Sequence, residues 1–342
     1  MKHLSPLFLL LFLFSCSGEN DAPVRKPGYS GKSGEVLIVM DRELIGTELE
    51  EVLTRAFSVP FERNPQREAR TAARTVARED MASYSKLHRN LVVVELGRQS
   101  KKVSISRDVW SNGQVVLRLL APDHGTAVEV AEQNATQMLD IVIQEERSRT
   151  IVRLGAHRNT PLEDRIQNKH GVRFIVPLEY KIRGSEKHFT WLEVDRVKFK
   201  NGRDHHALQG LIIYDRPFTN DSLLQSAVLH AYRDSMLKKN LPGPSDDSYM
   251  GTQYKFREID LSPLVYETTH KGMYAVFQKG LWKMHNAFMG GPYVSMTQVD
   301  SIAGRIVTVE GYVYSPEFPK REFLREMDAI VHSFEIPEKV KP

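Results

Sequence analysis

The chain has 342 residues, a formal net charge of +4, 41% hydrophobic residues and a single cysteine. This length suggests two domains, because single hydrophobic cores seldom grow beyond about 250–300 residues. The composition argues against a largely disordered chain or a polytopic membrane protein, and one cysteine excludes an intramolecular disulfide and a multi-cysteine zinc site. The mild positive charge is too diffuse to indicate a nucleic-acid partner.

The first sixteen residues have the organisation of an export signal. Lys2 and His3 precede an unbroken run of eight Leu and Phe residues, and Cys16 follows after one serine. Such a run reaches only about 12 Å as a helix, so it is too short to span a bilayer core of roughly 30 Å. It predicts a secretory signal peptide over residues 1–15.

Leu13-Phe14-Ser15-Cys16 resembles the lipobox of bacterial lipoproteins, with a bulkier residue than usual at Phe14. The resemblance implies cleavage before Cys16, lipid on its sulfur and acylation of the new amino terminus, with palmitate among the acyl groups. Two or three acyl chains form a stable anchor, since each buried methylene contributes about 0.8 kcal/mol. The alternative is a soluble protein whose leader ends in Ser-Cys by chance. Residues 16–33 are rich in Gly, Pro, Ser and charge, which predicts a flexible tether.

The residues after the cysteine bear on location. Glu19 and Asp21 resemble the acidic signal that sends lipoproteins of the Bacteroidetes group to the cell surface, and Ser17 gives no sign of inner-membrane retention. We therefore expect a lipid-anchored protein of the cell envelope, in the outer membrane. Whether it faces the periplasm or the surface stays open.

The remaining chain is predicted to form two α+β domains, over residues 34–155 and 156–342. In the first, the spacing of apolar residues predicts a strand at 35–40, helices at 43–57 and 64–78, strands at 91–96, 103–110 and 114–120, and a long helix at 126–149. Asn112-Gly113 separates two apolar runs, which is a strong signal for a hairpin turn.

In the second domain, the predicted elements are a helix from 160 to 171, strands at 172–180, 189–194 and 208–214, a helix at 220–239, strands at 273–284, 293–299 and 306–314, and a helix at 320–334. Pro122, Pro217 and Pro316 each end a strand and lead into a helix, which suggests repeated βββα units or a chance recurrence. The expected fold class is α+β, with mainly antiparallel sheets and helices packed on one face.

Five arginines recur every three or four residues in and beside the predicted helix at 64–78: Arg63, Arg67, Arg70, Arg74 and Arg78. On a helix this spacing places all five on one face, which suits contact with anionic lipid or a polyanionic surface. The alternative is a solvated helix face balanced by Glu68, Glu79 and Asp80.

Asp204-His205-His206 is the densest polar cluster, and imidazoles with a carboxylate are metal-ligating groups. Adjacent residues of a strand point to opposite faces, however, so surface residues at a hairpin edge are the favoured interpretation and no metal site is predicted. Two Ser-x-x-Lys matches, beginning at Ser83 and Ser235, lack the partner motifs of penicillin-binding enzymes. No catalytic residue and no cofactor are predicted.

Three Asp-Ser-apolar triplets match the O-glycosylation pattern of exported Bacteroidetes proteins, with acceptors at Ser222, Ser235 and Ser301. The C-terminal half also contains Trp191, Trp282 and an aromatic stretch, Phe288 to Tyr293, that includes Met289 and two glycines. These residues suit a binding loop or, alternatively, core packing.

The chain resembles a family of uncharacterised Bacteroidetes lipoproteins known only as a domain of unknown function. The resemblance rests on Cys16 and on the stretches at 30–37, 88–91 and 311–316. The final strand and helix, with Ile330-Val331-His332-Ser333-Phe334, also resemble PsbP/Mog1-type folds. The family has no assigned activity, so the resemblance implies none.

Two function classes remain. The favoured one is a lipid-anchored envelope protein that acts as a non-enzymatic binding or assembly module, with an envelope protein or a glycan as partner. The alternative is a periplasmic or surface hydrolase that acts on glycan or peptide through scattered Asp, Glu and His residues. An enzyme would show acids of perturbed pKa converging in a pocket, whereas a binding module would show an exposed apolar or aromatic patch.

Overall fold

A computed structural model describes residues 26–337 of the protein. The predicted signal peptide, Cys16 and the first part of the predicted tether lie outside the described residues. The described chain folds into helices and sheets in sequence-separated groups, and the predicted α+β fold class is confirmed. Across these residues no helix combines the length and the apolarity needed to cross a bilayer.

The α-helices are α1 (Glu48–Ala56), α2 (His124–Gly155), α3 (Thr160–His170), α4 (Ser226–Asn240) and α5 (Arg321–Ser333). The N-terminal strands are β1 (Glu35–Met40), β2 (Ala72–Ala77), β3 (Asn90–Glu95), β4 (Lys102–Arg107) and β5 (Val115–Leu120). The C-terminal strands are β6 (Lys181–Glu186), β7 (Phe189–Lys200), β8 (Arg203–Pro217), β9 (Tyr249–Thr252), β10 (Lys255–Phe256), β11 (Ile259–Asp260), β12 (Leu264–His270), β13 (Met273–His285), β14 (Gly290–Asp300) and β15 (Arg305–Tyr314).

The first five strands form a sheet in the order β2-β1-β3-β5-β4. The first four in this order run parallel, and β4 is antiparallel at the edge. Val36, Ile38 and Met40 face α1 and α2, while Leu37 and Val39 face the other side, because side chains alternate along a strand. This sheet is mainly parallel, whereas the sequence predicts mainly antiparallel sheets. The reason is that α1 returns the chain to the start of the sheet, so β2 begins beside β1 and runs in the same direction.

The predicted helix at 64–78 is wrong. A loop closed by a bridge between Pro60 and Ala69 occupies its first part, and β2 occupies the rest. Pairing with β1, for example of Val76 with Val39, satisfies the backbone groups along that side of β1, and that gain is not visible in local spacing. A run of Ala, Arg, Thr and Val fits an edge strand as well as a helix, so tertiary pairing decides the outcome.

The C-terminal strands form a larger, antiparallel sheet in the order β12-β13-β14-β15-β8-β7-β6, with β9 paired to β13. Within it, β6-β7-β8-α4 and β13-β14-β15-α5 are two βββα units joined side by side at β8 and β15. The suggested repeat therefore applies to these two units and does not extend to the parallel N-terminal sheet.

Helices cover both faces of the larger sheet. Leu211 and Ile213 of β8 pack in one core with Ile330 of α5, whereas Ile212 packs on the opposite face with Leu237 of α4. Residues 207–215 of β8 consequently form a nearly continuous buried run. Helices on a single face, as expected from sequence, describe the N-terminal sheet alone.

Helix α2 connects the two units. It has 32 residues and is about 48 Å long, which exceeds the predicted span. The Asp123 side chain caps its start by accepting a 2.8 Å hydrogen bond from the Thr126 amide. Met138 and Val142 pack in the N-terminal core, and Leu154 packs in the C-terminal core. Because α2 also contacts α5, the two units meet along this helix.

Residues 26–33 are bound to the N-terminal unit, although the sequence predicts a flexible tether there. The Ser30 amide donates to the Leu87 carbonyl at 2.9 Å, and the Arg89 amide donates to the Ser30 carbonyl at 3.0 Å. A segment that is held by backbone hydrogen bonds and a few side-chain contacts, such as Tyr29 against Arg89, needs no apolar alternation. Its composition therefore gives no signal of the pairing.

Candidate functional site

A cleft lies where α2 crosses α5, between the N-terminal and C-terminal units. It consists of two adjoining cavities that share Thr150 and Arg325. The first, called here the arginine pocket, has a cavity volume of about 220 Å³ and is lined by Arg89, Arg149, Arg153 and Arg325 with Tyr29, Ser33 and Glu322. The second, the apolar chamber, has a cavity volume of about 70 Å³, and its apolar walls are Phe61, Ile143, Phe277, Pro292, Val294 and Leu324.

A buried network fixes the floor of the arginine pocket. Arg149 Nη1 donates to Glu146 Oε1 at 2.6 Å and to Asn90 Oδ1 at 2.9 Å. Its Nε and Nη2 donate to the carbonyls of Gly113 and Arg89 at 2.7 and 3.0 Å. Every nitrogen of the Arg149 guanidinium thus has an acceptor, so this side chain holds β3 and α2 together and has a structural role.

Arg89 differs, although it is equally buried, at 8% exposure. Its Nε lies 2.8 Å from Glu146 Oε1 but without the alignment of a hydrogen bond, and this side chain donates no hydrogen bond within the described residues. The guanidinium lies over the Tyr29 ring, 4.6 Å from its centroid. Arg89 therefore forms an ion pair with Glu146 through Nε, and its Nη groups donate no hydrogen bond among the described residues, which favours an anionic acceptor.

Arg153 and Arg325 complete the rim. Arg153 lies one helical turn after Arg149 on α2 and is exposed, with no ion-pair partner among residues 26–337. Arg325 Nη1 donates to the Ser33 carbonyl at 2.9 Å and to Glu322 Oε1 at 2.6 Å. One rim arginine is thus positioned by its neighbours, and the other is available to a ligand.

The cleft carries an excess of positive charge. Eight cationic side chains and four carboxylates line its two cavities. Burial lowers the pKa of Arg149 and of Arg325, and the charge of Arg89 lowers both further. An oxyanion such as phosphate, sulfate or a carboxylate would relieve this repulsion and accept paired hydrogen bonds from a guanidinium.

The charged groups around the apolar chamber are mostly paired with one another. Lys279 Nζ donates to Glu62 Oε2 at 2.7 Å, and Arg147 Nε donates to Asp328 Oδ2 at 2.6 Å. Burial raises the pKa of Asp328, but His332 and Arg147 outweigh it and lower that pKa to about 2. These pairs leave the apolar walls, together with Arg63 and Arg70, as the surface that a ligand meets.

The five arginines of the predicted stripe do not share one face. Arg63 and Arg70 line the apolar chamber, and Arg67 and Arg74 are exposed in the loop and on β2. Arg78 forms a 2.6 Å ion pair with an aspartate next to β1. Contact of some of them with an anionic surface stays a prediction, but a helical stripe does not exist.

Asp204, His205 and His206 lie near the tip of the β7–β8 hairpin. His206 Nδ1 is 2.7 Å from Asp195 Oδ2, whereas His205 Nε2 is 3.1 Å from the Lys200 carbonyl. The two imidazoles thus have separate partners. In the part of the chain that the structure describes, no three His, Cys, Asp or Glu side chains are placed to hold a metal ion together.

Folding creates a serine–lysine pair that no local motif shows, because its members come from α3 and β6. Lys169 Nζ donates to Ser185 Oγ at 2.6 Å, to the Phe189 carbonyl at 2.9 Å and to Thr190 Oγ1 at 3.1 Å. Burial lowers the pKa of Lys169. Three acceptors nevertheless engage all three ammonium protons, so the lysine acts as a structural donor and not as a base for Ser185.

The predicted glycosylation acceptors, Ser222, Ser235 and Ser301, are not buried, and their modification stays a prediction. The aromatic stretch is divided: Phe288 is fully exposed in the β13–β14 turn, whereas Trp282 and Tyr293 are about 1% exposed. Its buried rings therefore fit the core-packing interpretation.

The sequence did not predict the residues of the arginine pocket as a site. Arg149 and Arg153 are four residues apart on a predicted helix, which is a usable but weak signal for a shared face. Arg89 follows a short 3₁₀ turn, and Tyr29 lies in a stretch whose composition predicts a tether. No local pattern joins positions 29, 89 and 149, because they meet only through tertiary packing.

The described chain is thus an α+β protein of two units with a cationic cleft between them. It belongs to the family described as Domain of unknown function (DUF4837), whose model matches residues 159–333. A second model, Domain of unknown function (DUF8532), matches residues 30–155. The predicted resemblance to a domain of unknown function is confirmed. A search of curated proteins found no match to the sequence.

Solved structures similar to this chain include a mutant of protein Mog1 and the Saccharomyces cerevisiae Ran-binding protein Mog1p. Both are 12% identical with a TM-score of 0.30, and the matches cover 49% and 48% of this chain and 92% and 90% of those chains. Human StAR-related lipid transfer protein 5 is 11% identical with a TM-score of 0.22, over 55% of this chain and 95% of that chain. The Mog1 likeness is a weak structural similarity and supports no statement about function.

Proposed function

We propose that the protein is a lipid-anchored binding protein of the bacterial cell envelope and that it holds an anionic ligand in the arginine pocket. Arg89 carries the proposal. Its guanidinium is 8% exposed, donates no hydrogen bond within the described residues and lies beside three other arginines. A guanidinium with unused Nη donors can form paired hydrogen bonds with an oxyanion, and a hydrogen bond to a charged group contributes about 1.5–3 kcal/mol.

The pocket supports binding better than catalysis. Its carboxylates are already engaged, since Glu146 contacts Arg89 and Arg149 at 2.8 and 2.6 Å and Glu322 contacts Arg325 at 2.6 Å. The groups that face a ligand are guanidinium donors, which hold an anion in place. General-base chemistry needs a free proton acceptor within reach of the substrate, and these paired carboxylates do not supply it.

Calorimetric titration of the full chain with inorganic phosphate at fixed low salt tests the binding. Arg153→Ala should weaken the affinity about tenfold or more, because a hydrogen bond to a charged group contributes about 1.5–3 kcal/mol. Arg98→Ala is the control, since Arg98 is exposed and pairs with Glu95 at 3.2 Å away from the cleft. Absence of phosphate binding, or equal losses in the two variants, would contradict the proposal.

The anchor and the envelope location are proposed on the sequence. The lipobox-like residues 13–16 and the acidic residues after them support a lipoprotein of Bacteroidetes type in the outer membrane. Metabolic labelling with a fatty-acid analogue should mark the wild-type chain and leave Cys16→Ala unlabelled. Protease treatment of whole cells then separates a surface-facing protein from a periplasmic one. A wild-type chain without label would overturn the anchor.

A further inference from the structure

We infer that the ligand is an amphipathic anion, with its charged group in the arginine pocket and its apolar chain in the apolar chamber. This inference rests on the proposed function, because it assigns the rest of a ligand whose anionic group is bound there. The two cavities share Thr150 and Arg325 as lining residues. One molecule of modest length can therefore contact both.

The arginine pocket supplies the recognition of the charged group. Arg89 and Arg153 have donors that the described residues leave unused, whereas Arg149 and Arg325 are held by protein acceptors and keep the pocket cationic. The Tyr29 ring lies 4.6 Å from Arg89 and 5.4 Å from Arg149, so it covers the guanidinium groups on one side. An oxyanion entering opposite Tyr29 meets N–H groups and no free carboxylate.

The apolar chamber has the lining for a short hydrocarbon chain. Its cavity volume of about 70 Å³ accommodates the first few methylenes of a chain. Phe61 and Ile143 come from the N-terminal unit, and Phe277 and Leu324 come from the C-terminal unit. Lys279 is paired with Glu62 and Arg147 with Asp328, so a chain that contacts the apolar walls breaks neither ion pair. Arg63 donates to the Ser262 carbonyl and also lines the chamber, as does Arg70.

The two cavities together select against simpler ligands. A small polar anion satisfies Arg89 but leaves the apolar walls in contact with water. An uncharged apolar molecule fills the chamber but leaves the excess positive charge of the pocket uncompensated. An amphipathic anion satisfies both, and each methylene that enters the chamber should increase the affinity by up to about fourfold.

The test titrates the full chain with methyl, butyl and octyl phosphate, each below its micelle-forming concentration and at one salt concentration. We expect the affinity to rise from methyl to butyl phosphate and to gain little more with octyl phosphate, because the chamber accommodates only the first few methylenes. Ile143→Asp places a carboxylate in the chamber wall, so it should abolish this rise while methyl phosphate still binds. Ile141→Asp is the matched control, because Ile141 is also half-buried on α2 but does not line the cleft. Phe61→Asp, on a loop, is a second chamber variant should Ile143→Asp fail to fold.

The outcomes separate this inference from the proposed function. If methyl phosphate binds and the longer chains bind no better, the amphipathic ligand is overturned and anion binding stands. If no phosphate binds at any chain length, both are overturned. If affinity rises with chain length equally in wild type and in Arg153→Ala and Ile143→Asp, the chains bind elsewhere and the inference fails.

Discussion

Two buried arginines show what distinguishes a structural cation from a binding one. Arg233 of α4 is 1% exposed, and its Nε and Nη2 donate to Glu310 at 2.7 and 2.6 Å. Its Nη1 donates to Thr252 at 2.7 Å, and its guanidinium lies 3.7 Å from the centroid of the Tyr293 ring. Arg233 is fully satisfied by the protein, whereas Arg89 is not. Burial alone therefore does not mark a site, and the unused donor does.

The Arg233–Glu310 pair gives a stability prediction. Arg233→Met would leave Glu310, which is fully buried, without its counter-charge. We expect a loss of about 3–5 kcal/mol in the free energy of unfolding, measured by urea denaturation. The double variant Arg233→Met with Glu310→Leu should lose much less, because it removes the buried charge as well as its partner.

The control for this prediction is an exposed ion pair. Arg107 and Glu145 are 2.7 Å apart with the arginine side chain 59% exposed, so Arg107→Met should change the free energy of unfolding by at most about 1 kcal/mol. A similarly small change in Arg233→Met, or a double variant as unstable as the sum of its single changes, would refute the interpretation.

Among the elements, the segment at 26–33 affects the site most directly, because it places Tyr29 in the arginine pocket. Gly31 is essential to its path: it has a φ of +91°, and a Cβ there would lie 2.5 Å from the His88 ring. His88 is itself buried and held against the Asn90 carbonyl at 3.0 Å. The ring therefore has little room to move aside.

Gly31→Ala should loosen this segment. We expect faster hydrogen exchange at the amides of Ser30 and Arg89, which form the two bridging hydrogen bonds, and weaker phosphate binding as Tyr29 leaves the pocket. Gly28→Ala is a matched control, since a methyl group there would have no atom within 4 Å and the φ of Gly28 is ordinary. Unchanged protection of both amides in Gly31→Ala would disprove the role of this segment.

Elements whose own apolar spacing determines them were predictable. The structure has β1 at the predicted residues, α3 and α5 within about one residue of their predicted ends, and a turn at Asn112-Gly113. Elements that depend on distant partners were not: β2 forms because β1 needs a neighbour, and the parallel order of the first sheet follows from crossovers. The cleft likewise depends on distant partners and could not be predicted, since Arg89 and Arg153 are far apart in sequence.

At the scale of the whole molecule, histidines that are wholly or partly buried make the fold sensitive to acid. Burial lowers the pKa of six of them below the ordinary value: His88, His170, His230, His270, His285 and His332. In the unfolded chain these groups titrate near about pH 6.5. Between that value and the lower folded pKa values, the unfolded state binds more protons. Stability therefore falls as pH decreases through this range.

Urea denaturation at pH 7.5 and pH 5.5 checks this expectation. The free energy of unfolding should be lower at pH 5.5, and His332→Asn should reduce the difference, because one group with a lowered pKa is removed. Below about pH 4.5, carboxylates such as Asp328, whose pKa is about 2, should add a further loss. Equal or greater stability at pH 5.5 than at pH 7.5 would contradict the expectation.

The position of Tyr29 in the sequence limits the distance between the cleft and a lipid attached to Cys16. Tyr29 is thirteen residues after Cys16, and a fully extended chain of that length spans at most about 43–47 Å. With the proposed lipid on Cys16, the mouth of the cleft is confined to a shell of that thickness above the bilayer. A ligand that partitions into the same bilayer is then encountered at a high effective concentration. The protein would then bind ligand molecules from the membrane surface rather than from the surrounding solution.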